Sequence, residues 1–242
     1  MGIEFVAADR PGPLRAGTTA RSGGASRAPF DSLNLGDRCG DEPAAVAANR
    51  ARVAEALDLP GEPLWLRQVH GIGVIEASEW RPGVEADAAW TDAPGVALAV
   101  LTADCLPVVL ADGDGRCLAV AHAGWRGLAA GVLQSTVEAL PASPSVLRAW
   151  IGPRIGPDRY EVDAAVREAF DGRDAFFRPT RPGHWQADLP GIAEAILNES
   201  GLAGVVDCGH CTASEPARWF SHRRDGRSGR MATLAWLIGR PG

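Results

Sequence analysis

The stretch PVVLADGDGRCLAVAH, residues 107–122, decides the fold, because two short apolar runs in it flank a turn of aspartates and glycines. Residues 107–111 and 117–121 have the length and composition of buried strands. Between them, Asp112-Gly113-Asp114-Gly115 is a strong hairpin signal. The sequence therefore predicts an antiparallel hairpin near the middle of the chain.

The register of this hairpin follows from its turn. If Gly113 and Asp114 are the central turn residues, Cys105 lies directly opposite His122, and opposed Cβ atoms are about 4.5–5.5 Å apart. That separation suits two ligands of one metal ion. Cys117 falls on the other face, inside an apolar run, and we expect it in the core.

Three side chains in and near this hairpin form a candidate metal site. His70, Cys105 and His122 offer two imidazoles and one thiolate. Single histidines and cysteines in apolar strands are usually packed core residues, but both histidines here lie close to glycine at strand ends, where sites are commonly built. Three protein ligands leave one position open, as in catalytic zinc sites, whereas structural zinc sites have four. We therefore expect zinc bound by these three residues.

Four motifs around the candidate ligands carry a family resemblance. They are Gln68-Val69-His70-Gly71, Ala86-Asp87-Ala88, Thr102-Ala103-Asp104-Cys105-Leu106-Pro107 and His122-Ala123-Gly124-Trp125-Arg126-Gly127. The combination resembles the laccase-domain family, the YfiH-type proteins known as polyphenol oxidases or purine nucleoside phosphorylases, and further matches extend over nearly the whole chain. Small departures are His222 and Ser228, where the family pattern leads us to expect tyrosine and threonine.

The fold that the resemblance implies is α+β, with two packed mixed β-sheets flanked by helices. Because the 242 residues contain no obvious linker or repeat, we expect a single domain over residues 1–242. Periodicity and turn signals predict strands at 3–7, 146–151 and 204–207 and helices at 43–59, 128–140, 163–170 and 189–200, while 231–238 fits either type.

Purine nucleoside chemistry is the activity that the resemblance implies. It comprises phosphorolysis of adenosine, inosine, guanosine and methylthioadenosine, with deamination of adenosine as an additional activity. A true multicopper oxidase needs many more histidines than the five in this chain, which also has no His-x-His pair. The histidine count excludes a multicopper cluster, whereas a mononuclear zinc site fits, and copper at a single site stays open.

Five further residues are candidates for roles beside the metal. Asp104 is a candidate catalytic acid or base, and Gln68 is a candidate for orienting substrate or a ligand. Arg21, Asn34 and Arg126 are candidate contacts to phosphate or ribose. Arg126 lies at the start of a predicted helix, a favourable place for an anion, although the glycines around it would also serve close packing of that helix.

Two other functions fit the same residues. Cys105 and His122 could be the nucleophile and base of a metal-free cysteine hydrolase, for example an amidase that edits cell-wall peptide precursors, but His70 would then have no role. The chain could instead be a zinc-stabilised binding module, in which His210 or His222 supplies a fourth ligand.

Composition excludes several classes of protein. All 24 basic residues are arginine, so Schiff-base chemistry, pyridoxal phosphate attachment and a phosphate-loop lysine are impossible. The net charge of -6 argues against nucleic-acid and membrane-surface binding, and no apolar run approaches the roughly 20 residues that a transmembrane helix needs. The lack of a secretory signal pattern and the odd number of cysteines favour the cytoplasm. We expect a small-molecule nucleoside and phosphate as partners; the sequence does not indicate an oligomeric state.

Overall fold

Two large mixed β-sheets pack face to face in the computed structural model, which describes residues 2–8 and 13–238. The strands are β1 Phe5–Ala7, β2 Leu14–Thr19, β3 Leu64–Trp65, β4 Val74–Glu76, β5 Ala88–Thr91, β6 Ala97–Thr102, β7 Leu106–Asp112, β8 Leu118–Ala123, β9 Leu147–Ile151, β10 Glu161–Asp163, β11 Phe177–Pro179, β12 His184–Ala187, β13 Gly204–Asp207 and β14 Met231–Leu237. The α-helices are α1 Pro43–Leu57, α2 Trp125–Ala130, α3 Val132–Ala139, α4 Ala164–Glu168, α5 Leu189–Glu199 and α6 His222–Asp225.

The six-stranded sheet has the strand order β13-β9-β7-β8-β5-β4, and the five-stranded sheet has the order β1-β2-β14-β6-β3. Both are mixed: β9 runs parallel to β13, β4 to β5 and β3 to β6, while the other neighbours are antiparallel. The predicted α+β fold with two packed mixed sheets and flanking helices is confirmed. A third sheet of three short strands, β10-β12-β11, has no counterpart in the sequence prediction.

Apolar layers hold the sheets and helices together. Between the two large sheets, Val100 of β6 and Val120 of β8 belong to one buried cluster. The outer face of the five-stranded sheet is covered by α1 through Val53, and that of the six-stranded sheet by α3 and α5 through Leu133 and Ile192. Burying one such side chain stabilises the folded state by about 1.5–3 kcal/mol. These layers therefore hold the two large sheets firmly on either side of the space between them.

The central hairpin forms as predicted, but the predicted register is wrong by two residues. Pro107 rather than Cys105 lies opposite His122. The loop is longer than predicted because the Asp112 carboxylate accepts the backbone N–H of Arg116 at 2.5 Å and closes a wider turn. A shift of two residues keeps every side chain on its predicted face of the sheet.

The helix predicted at 128–140 is in fact two helices, α2 and α3, which begin at Trp125. Gly131 separates them with a φ of 105°, a conformation that favours glycine. Its N–H bonds to the carbonyls of Gly127 and Leu128, which ends α2. Periodicity alone does not detect this break, because the apolar spacing continues across it.

Most other local predictions are confirmed within a few residues. They concern β1, α1, β9, α4, α5 and β13, and Cys117 is buried in the core as expected. The ambiguous segment at 231–238 is β14, between β2 and β6 in the five-stranded sheet. Across residues 2–8 and 13–238, no helix combines the length and apolar character required to cross a bilayer.

Candidate metal site and adjoining clefts

Three chain segments bring His70, Cys105 and His122 together at one end of the inter-sheet space. His70 lies between β3 and β4, Cys105 in the turn from β6 to β7, and His122 on β8. Their ligand atoms all lie within 4.8 Å of one another, and Cys105 Sγ is 3.9 Å from His70 Nε2. Among the described residues, no other set of three His, Cys, Asp or Glu side chains is close enough to hold a metal ion. This group could hold one.

Two of the ligand-bearing segments have unusual backbone conformations. His70 has a φ of 60° and Asp104, beside Cys105, has a φ of 91°, values that are uncommon outside glycine. The Asp104 carboxylate accepts hydrogen bonds from Thr212 Oγ1 and the Arg223 backbone N–H, both at 2.6 Å. Such conformations cost about 1–3 kcal/mol and persist only when their surroundings hold them. These bonds therefore fix the turn that carries Cys105.

Asp87 connects two of the three ligands and was not predicted as a site residue. Its buried carboxylate accepts Nδ1–H of His122 at 2.8 Å. It also accepts the backbone N–H groups of Val69, His70 and Gly71 at 3.2, 2.9 and 2.7 Å. Because Nδ1 of His122 is engaged, Nε2 is left for a metal ion. The signal for Asp87 in the sequence was the motif Ala86-Asp87-Ala88, one of the four that carry the family resemblance.

Two glycines after His122 are required by the site itself. A Cβ built on Gly124 would lie 2.7 Å from His70 Cδ2 and 3.1 Å from Cys105 Sγ. A Cβ on Gly127 would lie 2.9 Å from the Gly71 carbonyl oxygen. The absence of side chains at these positions lets α2 pack directly against the ligand-bearing loop.

The electrostatics of the group favour a cysteine thiolate. Burial alone would raise the pKa of Cys105, but the positive charge of His122 and hydrogen bonds from His122 and His70 lower it to about 6. Burial would lower the pKa of His122, but the Cys105 thiolate and the bond to Asp87 raise it to about 9. Burial also disfavours ionised Asp87, and its bonds to His122 and Gly71 outweigh this and lower its pKa. Ionised Asp87 thus stabilises the fold at neutral pH, and this contribution is lost as the pH falls through its folded-state pKa.

Two clefts meet at the ligand group, and His70, Cys105 and His222 line both. The larger has a volume of about 450 Å³, and its other walls include Asp37, Arg38, Leu66, Gln68, Thr102 and Arg230. The smaller has a volume of about 300 Å³, and its other walls include Asp104, Trp125, Arg126, Ile155, Tyr160 and Arg223. A small molecule in either cleft would lie beside the candidate metal position.

Three of the five further candidate residues line these clefts. Gln68 lines the larger one, but its amide both donates to and accepts from the Leu101 backbone, at 2.8 and 2.7 Å. Asp104 lines the smaller one, with both carboxylate oxygens engaged as described above. Arg126 also lines the smaller one; its guanidinium lies 4.3 Å from the Trp125 ring and has no hydrogen-bond or ion-pair partner among the described residues. Of the three, Arg126 has the side chain most available to a ligand.

The other two candidates, Arg21 and Asn34, line neither cleft. The Arg21 guanidinium donates to the backbone carbonyls of Asp31 and Pro216. Asn34 is fully buried, and its side-chain oxygen accepts the backbone N–H groups of Gly36 and Arg230. Contrary to the sequence prediction, the structure brings neither side chain to the site, and Asn34 instead orders the loop that forms one wall of the larger cleft.

Two histidines considered as a fourth ligand lie outside the three-residue group. His222 lines both clefts, with Nδ1 donating to the Gly226 carbonyl. His210 packs against Trp219, 5.7 Å between ring centroids, and lies beside Glu215. Neither is close enough to the other ligands to belong to the group.

Comparison with known proteins identifies the family to which the chain belongs. Residues 15–238 match the model of a family described as multi-copper polyphenol oxidoreductase laccase. The chain is 47% identical to a purine nucleoside phosphorylase of Pseudomonas aeruginosa, over 96% of this chain and 98% of the relative. It is 43% identical to the purine nucleoside phosphorylase YfiH of Escherichia coli, over 95% of this chain and 96% of the relative. A crystal structure of a Neisseria meningitidis protein superposes with a TM-score of 0.93 at 43% identity, covering 97% of this chain and 99% of that one.

The role of Asp87 gives a first prediction. Asp87→Asn removes the charge that holds the Nδ1–H of His122, so we expect Zn²⁺ affinity, measured by competition with a chelator, to fall about 10–100-fold. Asp112→Asn is the matched control, because Asp112 is also a buried carboxylate bonded to backbone N–H groups, at the other end of the hairpin. It should lower stability and leave Zn²⁺ affinity unchanged. Equal losses of affinity in both variants would show that Asp87 acts only through stability.

The cysteine pKa values give a second prediction. In metal-free protein at pH 7.5, iodoacetamide should alkylate Cys105 rapidly, because its pKa is about 6, and should spare buried Cys117, whose pKa burial raises to about 11. The Cys105 rate, followed by peptide mass spectrometry, should fall as the pH drops through about 6. A Cys105 rate that still rises between pH 8 and 9, as for an ordinary thiol, would contradict the thiolate assignment.

Proposed function

We propose that this chain, which belongs to the family described as multi-copper polyphenol oxidoreductase laccase, is a zinc-dependent purine nucleoside phosphorylase. The observation that carries the proposal is the group of His70, Cys105 and His122 at the junction of two clefts. This junction gives a two-substrate reaction room for a nucleoside on one side and phosphate on the other. The names of the curated relatives support the reaction class.

The donor set fits a single zinc ion. One thiolate and two imidazoles are ligands that zinc accepts, and three protein ligands leave a position open for chemistry. Asp87 behind His122 is the carboxylate partner that zinc-bound histidines commonly have. Copper at this one site would use the same donors, whereas the described residues hold no second group from which a multicopper cluster could be built. When bound, zinc supplies a Lewis acid and can activate water, which suits both phosphorolysis and adenosine deamination.

In phosphorolysis, a phosphate oxygen forms a bond to C1′ of the ribose while the bond from C1′ to the purine nitrogen breaks. The purine leaves with the bonding electrons and gains the proton that the hydrogen phosphate gives up, and ribose 1-phosphate is the second product. We infer that Arg126 holds phosphate in the smaller cleft; its guanidinium, which has no acidic partner among the described residues, supports this role. We extend the proposal to adenosine, inosine, guanosine and methylthioadenosine as nucleosides, to adenosine deamination, and to a cytoplasmic location.

The two residues predicted for catalytic roles, Gln68 and Asp104, act in this proposal by positioning others. Gln68 ties the segment before His70 to β6 through its bonds to Leu101. Asp104 anchors the turn that carries Cys105, and both of its oxygens are already occupied by donors. Neither residue needs to exchange a proton with substrate to affect the reaction.

A second candidate function is supported by the pKa values of the pair itself. A thiol with a pKa of about 6 beside an imidazole with a pKa of about 9 is the arrangement of a cysteine hydrolase. In that reaction the Cys105 thiolate would be the nucleophile, and the His122 imidazolium would give its proton to the leaving group and then act as the base for the attacking water. His70 distinguishes the candidates, because the metal site needs it as a ligand, whereas in the hydrolase it would contribute only a secondary part of the lowered pKa of Cys105.

The reaction and the role of His70 are tested together. With adenosine and phosphate, the wild type should release adenine and ribose 1-phosphate, and the rate should saturate with phosphate. His70→Ala should lose zinc, measured by elemental analysis, and activity together, because each ligand supplies part of one coordination sphere. A His70→Ala protein that stays fully active without metal would favour the hydrolase, and equal base release without phosphate would contradict phosphorolysis.

The phosphate assignment is tested with Arg126→Ala. Loss of a charge-assisted contact at this exposed position should raise the KM for phosphate about tenfold, while zinc content stays unchanged and adenosine deamination suffers less. Arg167→Ala is the matched control, because Arg167 also stacks on a tryptophan, 4.9 Å from the Trp185 ring, and lines neither cleft. If both variants show the wild-type dependence on phosphate, the anion binds elsewhere.

A further inference from the structure

The Thr102 hydroxyl is a buried polar group without a hydrogen-bond partner. The residue is 1% exposed, and Oγ1 finds no donor or acceptor in the described part of the chain. The other residues with such orphaned atoms, Arg154, Gln186 and Trp219, line neither of the two clefts, whereas Thr102 lines the larger one. Burying a hydroxyl without a partner costs free energy, so its presence at this place needs an explanation.

The position of Thr102 in its strand explains where the hydroxyl lies. Leu98 and Val100 of β6 face the space between the large sheets, and Thr102, two residues further on, shares their face. On the opposite sheet, Val120 faces the same space, and His122 follows it by two residues. Thr102 and His122 therefore reach the open end of the inter-sheet space from opposite sheets, where both line the larger cleft.

The backbone around Thr102 is held in place independently of its hydroxyl. On one side, the Gln68 amide makes two hydrogen bonds to the Leu101 backbone. On the other side, Thr102 pairs with Met231 of β14. Valine, which has the same shape, would pack equally well at this position. The hydroxyl is thus a preorganised group that the fold itself does not use.

We propose that Thr102 Oγ1 binds the nucleoside in the larger cleft. This inference rests on the proposed function and deepens it by naming a substrate-binding residue and the cleft that holds the nucleoside. A hydroxyl both donates and accepts hydrogen bonds, which matches the ribose hydroxyls and the purine edge. A phosphate is matched better by the Arg126 guanidinium in the smaller cleft, which has no acidic partner among the described residues.

The test uses the full-length, zinc-loaded protein with the variants Thr102→Val and Thr102→Ser. Thr102→Val should raise the KM for adenosine about two- to twelvefold, the effect of one hydrogen bond between neutral groups, and leave the KM for phosphate unchanged. Its Tm should equal or exceed that of the wild type, because an unpaired buried hydroxyl has been removed. Thr102→Ser keeps the hydroxyl and should retain a KM for adenosine close to wild type.

Thr233→Val is the matched control in the same sheet. Thr233 Oγ1 bonds to Thr18 Oγ1 at 2.6 Å, both residues are fully buried, and neither lines a cleft at the site. Its replacement leaves the Thr18 hydroxyl unpaired and should lower Tm without changing either KM. Opposite effects of the two Thr→Val changes on Tm and KM separate a ligand-binding hydroxyl from a structural one.

Failure of this inference is distinguishable from failure of the proposed function. An unchanged KM for adenosine in Thr102→Val, or a fall in Tm like that of Thr233→Val, would overturn the role of Thr102 while wild-type phosphorolysis still stands. If the wild type releases no purine, the proposed function fails, and calorimetric titration with adenosine alone decides the inference. Weaker adenosine binding by Thr102→Val than by the wild type would then support it, and equal or undetectable binding by both would overturn it.

Discussion

The buried carboxylate of Asp87 is the constraint on which the site depends. It accepts four hydrogen bonds, one from the His122 imidazole and three from the consecutive backbone N–H groups of Val69, His70 and Gly71. An ionised carboxylate without such donors would be costly to bury. The folded state therefore keeps all four bonds, and Asp87 holds both the His122 ring and the backbone of residues 69–71 in a defined geometry. One side chain thereby fixes the tautomer of one ligand and the backbone position of another.

Two further polar side chains constrain turns near the site in a similar way. Asp104 receives donors from Thr212 and Arg223, and Gln68 binds the Leu101 backbone in both directions. Of the three candidate ligands, His122 lies on a strand, where the paired sheet positions its backbone and Asp87 orients its ring. The two candidate ligands outside strands depend on carboxylates. Asp87 binds the backbone N–H of His70, and Asp104, beside Cys105, binds Thr212 and Arg223. The paired sheets and the hydrogen bonds of these polar side chains together give the preorganised geometry that metal binding and catalysis require.

The limits of the sequence prediction follow from the same contacts. The three candidate ligands could be predicted because their motifs are local, whereas the two-sheet fold was expected from the family resemblance alone, because strand patterns do not show how sheets pack. The hairpin register could not, since the Asp112 carboxylate widens the turn. Arg21 and Asn34 were predicted to contact phosphate or ribose. Their side chains instead bind the backbone of Pro216 and Arg230, almost 200 residues away in the sequence, and such distant contacts leave no local signal. The roles of Asp87 and Thr102 likewise depend on which residues the fold places beside them.

We propose that one thiolate and two imidazoles of this chain bind a single zinc ion and leave a position open. X-ray absorption spectroscopy at the zinc edge of the purified, zinc-loaded protein tests this coordination. We expect one sulfur ligand at about 2.3 Å and two imidazole nitrogens at about 2.0–2.1 Å, with the remaining position filled by a light atom from solvent or substrate. A spectrum without sulfur, or with two sulfur ligands, would contradict the assignment of His70, Cys105 and His122.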